Sequence, residues 1–197
     1  MASLTRGLQL LAAAVRYALA GAGLVTPPLL SRPTPCAEWD LELLVDHVSD
    51  SAGVLHQAIT AGCAGPPPSD GPPGLDPVRG LRRQTTRLLA TCTAAGPAPR
   101  LVAIGDRELT TNMVALAGAL EITVHGWDIS VACGARRPVP PGLAAILLPL
   151  APLLISPATR PGLFADPVPV PAWASPGDQL VAFLGRRPQA PPGGRAW

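Results

Sequence analysis

The segment ALEITVHGWDIS, residues 119–130, carries three side chains capable of chemistry within an otherwise apolar stretch. Glu121, His125 and Asp128 follow one another at spacings of four and three residues, which places them on one side of an α-helix. That side is predicted to face the protein interior. Because an interior carboxylate is costly unless a cation compensates it, we expect Glu121 to lie against a positive charge.

The nature of that cation is limited by composition. All 15 basic residues are arginines, so the cation is an arginine, a protonated histidine or a metal ion. Side chains at positions i and i+4 can share one ion, and His47, on the apolar arc of the second predicted helix, would complete a His2Glu set with Glu121 and His125. Three protein ligands with an open position are typical of catalytic zinc and also suit non-haem iron(II). The alternative is a plain Glu121–His125 salt bridge, with His47 bonded to a backbone carbonyl.

Asp128 lies two turns beyond Glu121 on the same stripe and is our candidate for a catalytic role. It would orient a metal ligand or bind substrate. The alternative is a capping or salt-bridge role near the helix end. Trp39, Trp127 and Cys36 are expected to be packing residues.

The elements that must position these groups are predicted from apolar periodicity and from end signals such as Gly62 and Gly134. On the fourth helix, the side opposite Glu121, which holds Thr123 and Ser130, is predicted to face solvent. Residues 100–107 are predicted to be extended or a short hairpin, and the Pro/Gly-rich residues 64–77 form a linker. The predicted helices cover residues 3–21, 41–61, about 77–95, about 109–133, about 141–155 and about 176–184.

Composition excludes several classes of function. Charged residues make up only 14% of the chain and the net charge is +2, which argues against nucleic acid as a partner. The absence of lysine excludes Schiff-base and P-loop lysine chemistry. The four cysteines form no C-x-x-C pair, which predicts reduced thiols rather than a zinc ribbon. The apolar residues 143–155 are too short to span a bilayer, so we expect a cytoplasmic protein without a membrane partner.

Two segments carry a family resemblance. RPTPCAEWDLELLVDHV (32–48) and ALEITVHGWDISVACGARRPVP (119–140) resemble the signature segments of the DinB-like metal-binding superfamily, and more narrowly of its mycothiol-dependent maleylpyruvate isomerase branch. Residues 164–188 are similar to the ending of short members of that branch. The resemblance covers most of residues 1–188 and weakens in the linker and the tail.

The resemblance implies an all-α fold, an up-down-down-up four-helix bundle with a small C-terminal helical and irregular appendage. The family's metal ligands fall on His47, Glu121 and His125. The implied cofactor is a divalent metal, zinc first and iron(II), nickel or manganese as alternatives, with mycothiol as a co-substrate. We expect one domain over residues 1–188, consisting of a bundle (1–135) and an appendage (136–188), followed by a disordered tail (189–197).

The expected function is that of a metal-dependent isomerase or thiol transferase, which activates a thiol or water against a small electrophile. A metal-dependent hydrolase and a non-catalytic metal-binding or sensing module are the alternatives. Maleylpyruvate isomerases carry a further C-terminal domain, which we expect this chain to lack, so maleylpyruvate is not the expected substrate. The expected partners are a small-molecule substrate and a low-molecular-weight thiol, and the chain is expected to be a monomer or a homodimer.

Overall fold

A computed structural model describes residues 2–37, 39–65, 76–94, 101–104, 107–162 and 164–189. Within these residues the fold is mostly helical, as predicted, with one short three-stranded sheet. Every predicted helix is present with its ends within two residues of the prediction. The helices are α1 (Ala2–Ala22), α2 (Leu41–Ala61), α3 (Pro77–Thr93), α4 (Thr111–Ala132), α5 (Pro141–Leu154) and α6 (Pro176–Phe183), and the strands are β1 (Cys63–Ala64), β2 (Leu101–Ile104) and β3 (Arg107–Thr110).

The helix ends follow from local chemistry. The Asp40 carboxylate accepts a hydrogen bond from the backbone N–H of Leu43 at 2.9 Å and caps the start of α2. At the end of the same helix Gly62 adopts a φ of 78°, the left-handed conformation that glycine takes without steric cost. Gly134 ends α4 in the same way, with a φ of 75°. These caps fix the ends of the two helices that carry the candidate ligands.

Helices α1 to α4 form a bundle with the predicted up-down-down-up course. Gly7 of α1 contacts Asn112 at the start of α4, and a Cβ at Gly21 would lie 3.0 Å from Ser130 Oγ near its end, so these helices are parallel. In contrast, α2 is antiparallel to α4, because His47 meets Glu121 whereas Leu55, two turns further on, meets Gly118.

The sheet lies at one end of the bundle, between the end of α2 and the start of α4. β1 follows α2 directly and pairs in parallel with β2, and β2 pairs antiparallel with β3. The hairpin predicted over residues 100–107 is therefore confirmed, although its turn at 105–106 lies outside the described residues. β1, which is only two residues long, was not predicted. Most of the predicted linker (66–75) and of the predicted tail (190–197) also lie outside the described residues.

The prediction that one side of α4 faces solvent is wrong. Ala119, Thr123 and Ser130 are fully buried, and α1 covers them. The contact is close, because a Cβ at Gly126 would lie 3.0 Å from the Cα of Ala18. The small side chains on this side of α4 allow α1 to pack closely against it, and they do not form a solvent-exposed surface. Ala117, placed on the inward stripe by the helical wheel, is exposed.

The C-terminal appendage consists of α5, an irregular segment and α6, which packs on α5. Pro149 and Pro152 lie inside α5, and the helix continues through both positions. Ser175 caps α6 by accepting a hydrogen bond from Asp178 N–H. No helix in the described part of the chain is long and apolar enough to cross a membrane.

Candidate metal centre

The three predicted ligands, His47, Glu121 and His125, lie together between α2 and α4 and are called the triad below. Nε2 of His47 lies 2.8 Å from Oε1 of Glu121, and Nε2 of His125 lies 3.6 Å from the same oxygen. One potential ligand atom from each of the three residues lies within 4.8 Å of the others. Groups 74 residues apart in the chain thus converge on one point.

Glu121 is the shared acceptor of the triad. Its Oε1 accepts hydrogen bonds from His47 and, at 3.3 Å, from the hydroxyl of Ser51. Burial raises the pKa of the Glu121 carboxyl, but the hydrogen bond from His47 and the proximity of the two imidazoles outweigh burial and hold this pKa below its usual range. The surroundings of Glu121 therefore agree with the prediction that this carboxylate lies against a positive charge.

His125 is the buried member of the triad, and Asp128 contacts its ring on the side away from Glu121. Its Nδ1 lies 3.1 Å from Oδ2 of Asp128, a residue that is fully buried. A carboxylate only accepts hydrogen bonds, so Nδ1 carries the proton of this contact, and Nε2, on the other side of the ring, is turned toward Glu121 and the space around it. Asp128 reaches the site only through His125. This contact has the geometry of the predicted role of orienting a ligand, and the salt bridge of the alternative prediction is present as well, with Arg186 as the partner.

Trp39 forms a wall of the site. Its ring centroid lies 4.6 Å from that of His47 and 6.1 Å from that of His125, nearly parallel to the second ring. Trp39 was predicted to be a packing residue, and it packs on two imidazoles of the triad. Trp127, by contrast, is buried in the main core, as predicted.

The chemistry of the donor set fits a divalent metal. Two imidazole nitrogens and one carboxylate oxygen are the His2Glu combination found in catalytic zinc sites. Tetrahedral zinc with ligand distances of about 2.0–2.1 Å separates its ligand atoms by about 3.3 Å, and the observed 2.8 and 3.6 Å bracket that value. The Asp128–His125 contact supplies the carboxylate that usually orients a metal-binding histidine.

The triad is open on one side. The side chains of His47 and Glu121 are 35% and 30% exposed, whereas that of His125 is 7% exposed. Among the described residues, the cluster contains no fourth histidine, cysteine or carboxylate. A bound ion would thus keep a position for an outside ligand.

Other residues singled out from the sequence lie away from the triad or beside it. All four cysteines are free, as predicted, and Cys36 is half-buried, with a thiol pKa raised chiefly by burial. His56 bonds to Thr91 at 2.8 Å and does not join the triad. Three arginines of α3 are exposed, namely Arg82, Arg83 and Arg87.

Sequence reasoning missed Ser51 and Arg186. Ser51 was assigned no role from the sequence, although it lies one turn after His47 on α2. Arg186 was assigned to the chain's ending, yet it is 5% exposed, and its Nη2 lies 2.8 Å from Oδ2 of Asp128. The signal that would have found Arg186 is the absence of lysine, because a second buried carboxylate on α4 also needs a cation.

Comparison with known proteins identifies the family of the chain. The family model described as the mycothiol maleylpyruvate isomerase N-terminal domain matches residues 11–130. Two uncharacterized proteins of Mycobacterium tuberculosis, from strains CDC 1551 and H37Rv, are each 30% identical to the chain over 161 residues, which are 80% of this chain and 85% of the relative. No solved structure matches the chain at comparable significance. The family match contains the triad and Asp128, whereas Arg186 lies beyond it.

Proposed function

The chain belongs to the mycothiol maleylpyruvate isomerase N-terminal domain family, and from this membership and the open triad we propose that it is a divalent-metal-dependent enzyme acting on a small electrophile. The proposed ligands are His47, Glu121 and His125, and the expected ion is zinc. The observation that carries the proposal is the convergence of two imidazole nitrogens on one carboxylate oxygen with an exposed side left free.

A bound divalent cation would supply Lewis acidity, which lowers the pKa of a coordinated thiol or water. The residues of the chain hold and shape the place where this happens. Ser51 and His47 hold Oε1 of Glu121, and Asp128 holds the ring of His125. Trp39 covers both imidazoles, which limits water on that side and leaves the exposed side as the approach for substrate.

The proposed reaction class is addition of a low-molecular-weight thiol to an activated double bond or an electrophilic carbon. A thiolate that adds to the double bond while the neighbouring carbon takes up a proton, or that displaces a leaving group from the electrophilic carbon, gives S-transfer. Addition to the double bond, bond rotation and elimination of the same thiolate give isomerisation. The family's printed description makes mycothiol the first thiol to test. We further propose that residues 1–188 work as one unit, because Arg186 of the C-terminal segment contacts the partner of His125.

The test combines metal analysis with a matched variant. Protein purified without chelator is expected to contain about one equivalent of a divalent metal. His125→Ala is expected to lose this metal, whereas His56→Ala, which changes a histidine outside the triad, is expected to retain it. Retention of the full metal content by a folded His125→Ala protein would refute the ligand assignment. Metal-loaded protein is then assayed on electrophilic substrates with and without mycothiol.

The dependence of turnover on a thiol separates the proposed function from its two alternatives. Turnover only with the thiol supports the transferase or isomerase proposal. Turnover with water alone supports a metal-dependent hydrolase, which the same exposed side of the triad would serve. Metal binding without turnover of any substrate supports a non-catalytic binding module.

A further inference from the structure

We propose that Arg186, from the C-terminal segment beyond the family match, is a positioning residue of the metal centre that fixes His125 through Asp128. The proposal rests on the proposed function above, because it concerns the same site. It assigns a role to a segment that the triad itself does not touch. The appendage is then part of the site as well as of the fold.

The guanidinium of Arg186 is held on three sides. Its Nε lies 3.2 and 3.3 Å from the two carboxylate oxygens of Asp128, and its Nη2 donates to Oδ2 at 2.8 Å. Its Nη1 donates to the carbonyl of Leu184 at 2.8 Å, and the guanidinium carbon lies 5.8 Å from the ring centroid of Phe164. Such a fork fixes the plane of the carboxylate as well as its charge.

The backbone turn at Gly185 determines the direction in which Arg186 leaves the last helix. Gly185 ends the last helix with a φ of 83°, and a Cβ there would lie 2.7 Å from the carbonyl oxygen of Ala165. Only glycine fits both the left-handed conformation and the close approach. The turn directs Arg186 inward, whereas the next residue, Arg187, is exposed.

The consequence for His125 follows from how Asp128 shares its oxygens. Oδ2 of Asp128 accepts from Arg186 and also from Nδ1–H of His125, so one fixed oxygen sets both the ring angle and the tautomer of the imidazole. Without Arg186, this fully buried carboxylate would lose the three hydrogen bonds that fix its plane and would be free to turn away from His125. Nε2 of His125 would then no longer be held toward Glu121.

The experiment measures zinc affinity by competition with a chelating dye for purified full-length protein. Arg186→Gln is expected to weaken zinc binding about 10- to 100-fold, the range typical for loss of a group that orients a metal ligand. Arg187→Gln, one position away, is the matched control and is expected to bind zinc like the wild type. Arg186→Lys keeps the charge without the planar fork and is expected to bind with intermediate affinity.

A second readout uses metal-free protein and nitrogen-15 NMR of the imidazoles. The wild type is expected to show a slowly exchanging proton on Nδ1 of His125, and Arg186→Gln is expected to lose it. If Arg186→Gln is unfolded, Arg186→Lys, which leaves Asp128 intact and keeps the buried charge without the planar fork, takes its place, with partial losses of zinc affinity and of Nδ1 proton protection expected.

The outcomes separate this inference from the proposed function. Suppose that a folded variant lacking Arg186 keeps both the wild-type zinc affinity and the Nδ1 proton, and that His125→Ala loses zinc. This result overturns the inference about Arg186 and leaves the metal-centre assignment intact. A wild type that binds no zinc or other divalent metal refutes the proposed function. In that case loss of the Nδ1 proton in Arg186→Gln still supports the positioning role of Arg186, and its retention overturns that role.

Discussion

Leu55 of α2 packs directly over Gly118 of α4, so closely that a Cβ at residue 118 would lie 2.6 Å from Cδ2 of the leucine. Gly118 precedes Glu121 by about one helical turn, and Leu55 follows His47 by about two. The separation of the two helices at this contact therefore helps to set how near His47 comes to Glu121. The absence of a side chain at Gly118 therefore helps to determine the geometry of the triad.

Gly118→Ala is expected to weaken zinc binding through this contact. The added methyl group forces α2 away from α4 or moves the Leu55 side chain, at a cost of about 1–3 kcal/mol in the free energy of unfolding. Urea denaturation and zinc competition measure the two effects. Gly142→Ala is the control, since a Cβ there meets nothing within 4 Å. Stability and affinity equal to those of the control would show that Leu55 repacks freely and that helix separation does not tune the triad.

Glu121→Gln is expected to preserve the fold and weaken zinc binding by at least about 100-fold. The amide keeps the volume of the carboxylate and can accept a hydrogen bond from His47 or Ser51, but it gives up the charge that a zinc ion requires. Circular dichroism and zinc competition check both parts. A variant that gains stability while binding zinc as the wild type does would show that Glu121 is only a salt-bridge partner of the histidines.

The sequence predicted the helices, their end residues and the triad because each depends on local or periodic signals. Gly62 and Gly134 mark helix ends, and the spacing of Glu121 and His125 follows from the helical period. The buried side of α4 was not predictable in this way, because small and weakly polar residues such as Thr123 suit a tight helix contact as well as a wet surface.

The contacts of Arg186 and Trp39 with the site were not predicted, for a different reason. Arg186 and Asp128 are 58 residues apart and meet only when the appendage folds back on the bundle. No period in the sequence encodes this contact, so only the general rule that a buried carboxylate needs a cation points to it. Trp39 was assigned to packing, and the sequence did not show that its packing surface would be two imidazole rings.

Trp39→Ala is expected to destabilise the protein by about 1–3 kcal/mol and to weaken zinc binding. The indole is half-buried and contacts both imidazoles, so its removal takes away apolar contact and lets the ring of His47 move. Trp173→Ala, at a tryptophan that is 75% exposed, is the control and is expected to cost less than about 1 kcal/mol. Equal effects of the two substitutions on zinc affinity would remove Trp39 from the site.

The free energy of unfolding is expected to fall as the pH rises from about 9 toward 12, in part through Cys92. Burial raises the pKa of this thiol from 9.0 to about 12, with a smaller opposing effect of Arg16. Between these values the unfolded chain loses the thiol proton while the native protein keeps it, so the native state binds more protons and a rising pH favours unfolding. The stabilisation is fully present below about pH 9 and is lost as the pH approaches 12.

Urea denaturation at several alkaline pH values measures this slope. Cys92→Ala is expected to be less stable at pH 8, because it leaves a cavity, but to show a shallower decline by up to about 1.4 kcal/mol per pH unit above pH 9. Cys63→Ala is the matched control: that thiol is exposed in the native protein as in the unfolded chain, so the wild-type slope should persist. An unchanged slope in Cys92→Ala would assign the alkaline loss of stability to other groups, of which Tyr17 is the first to test, because burial raises the pKa of its hydroxyl as well.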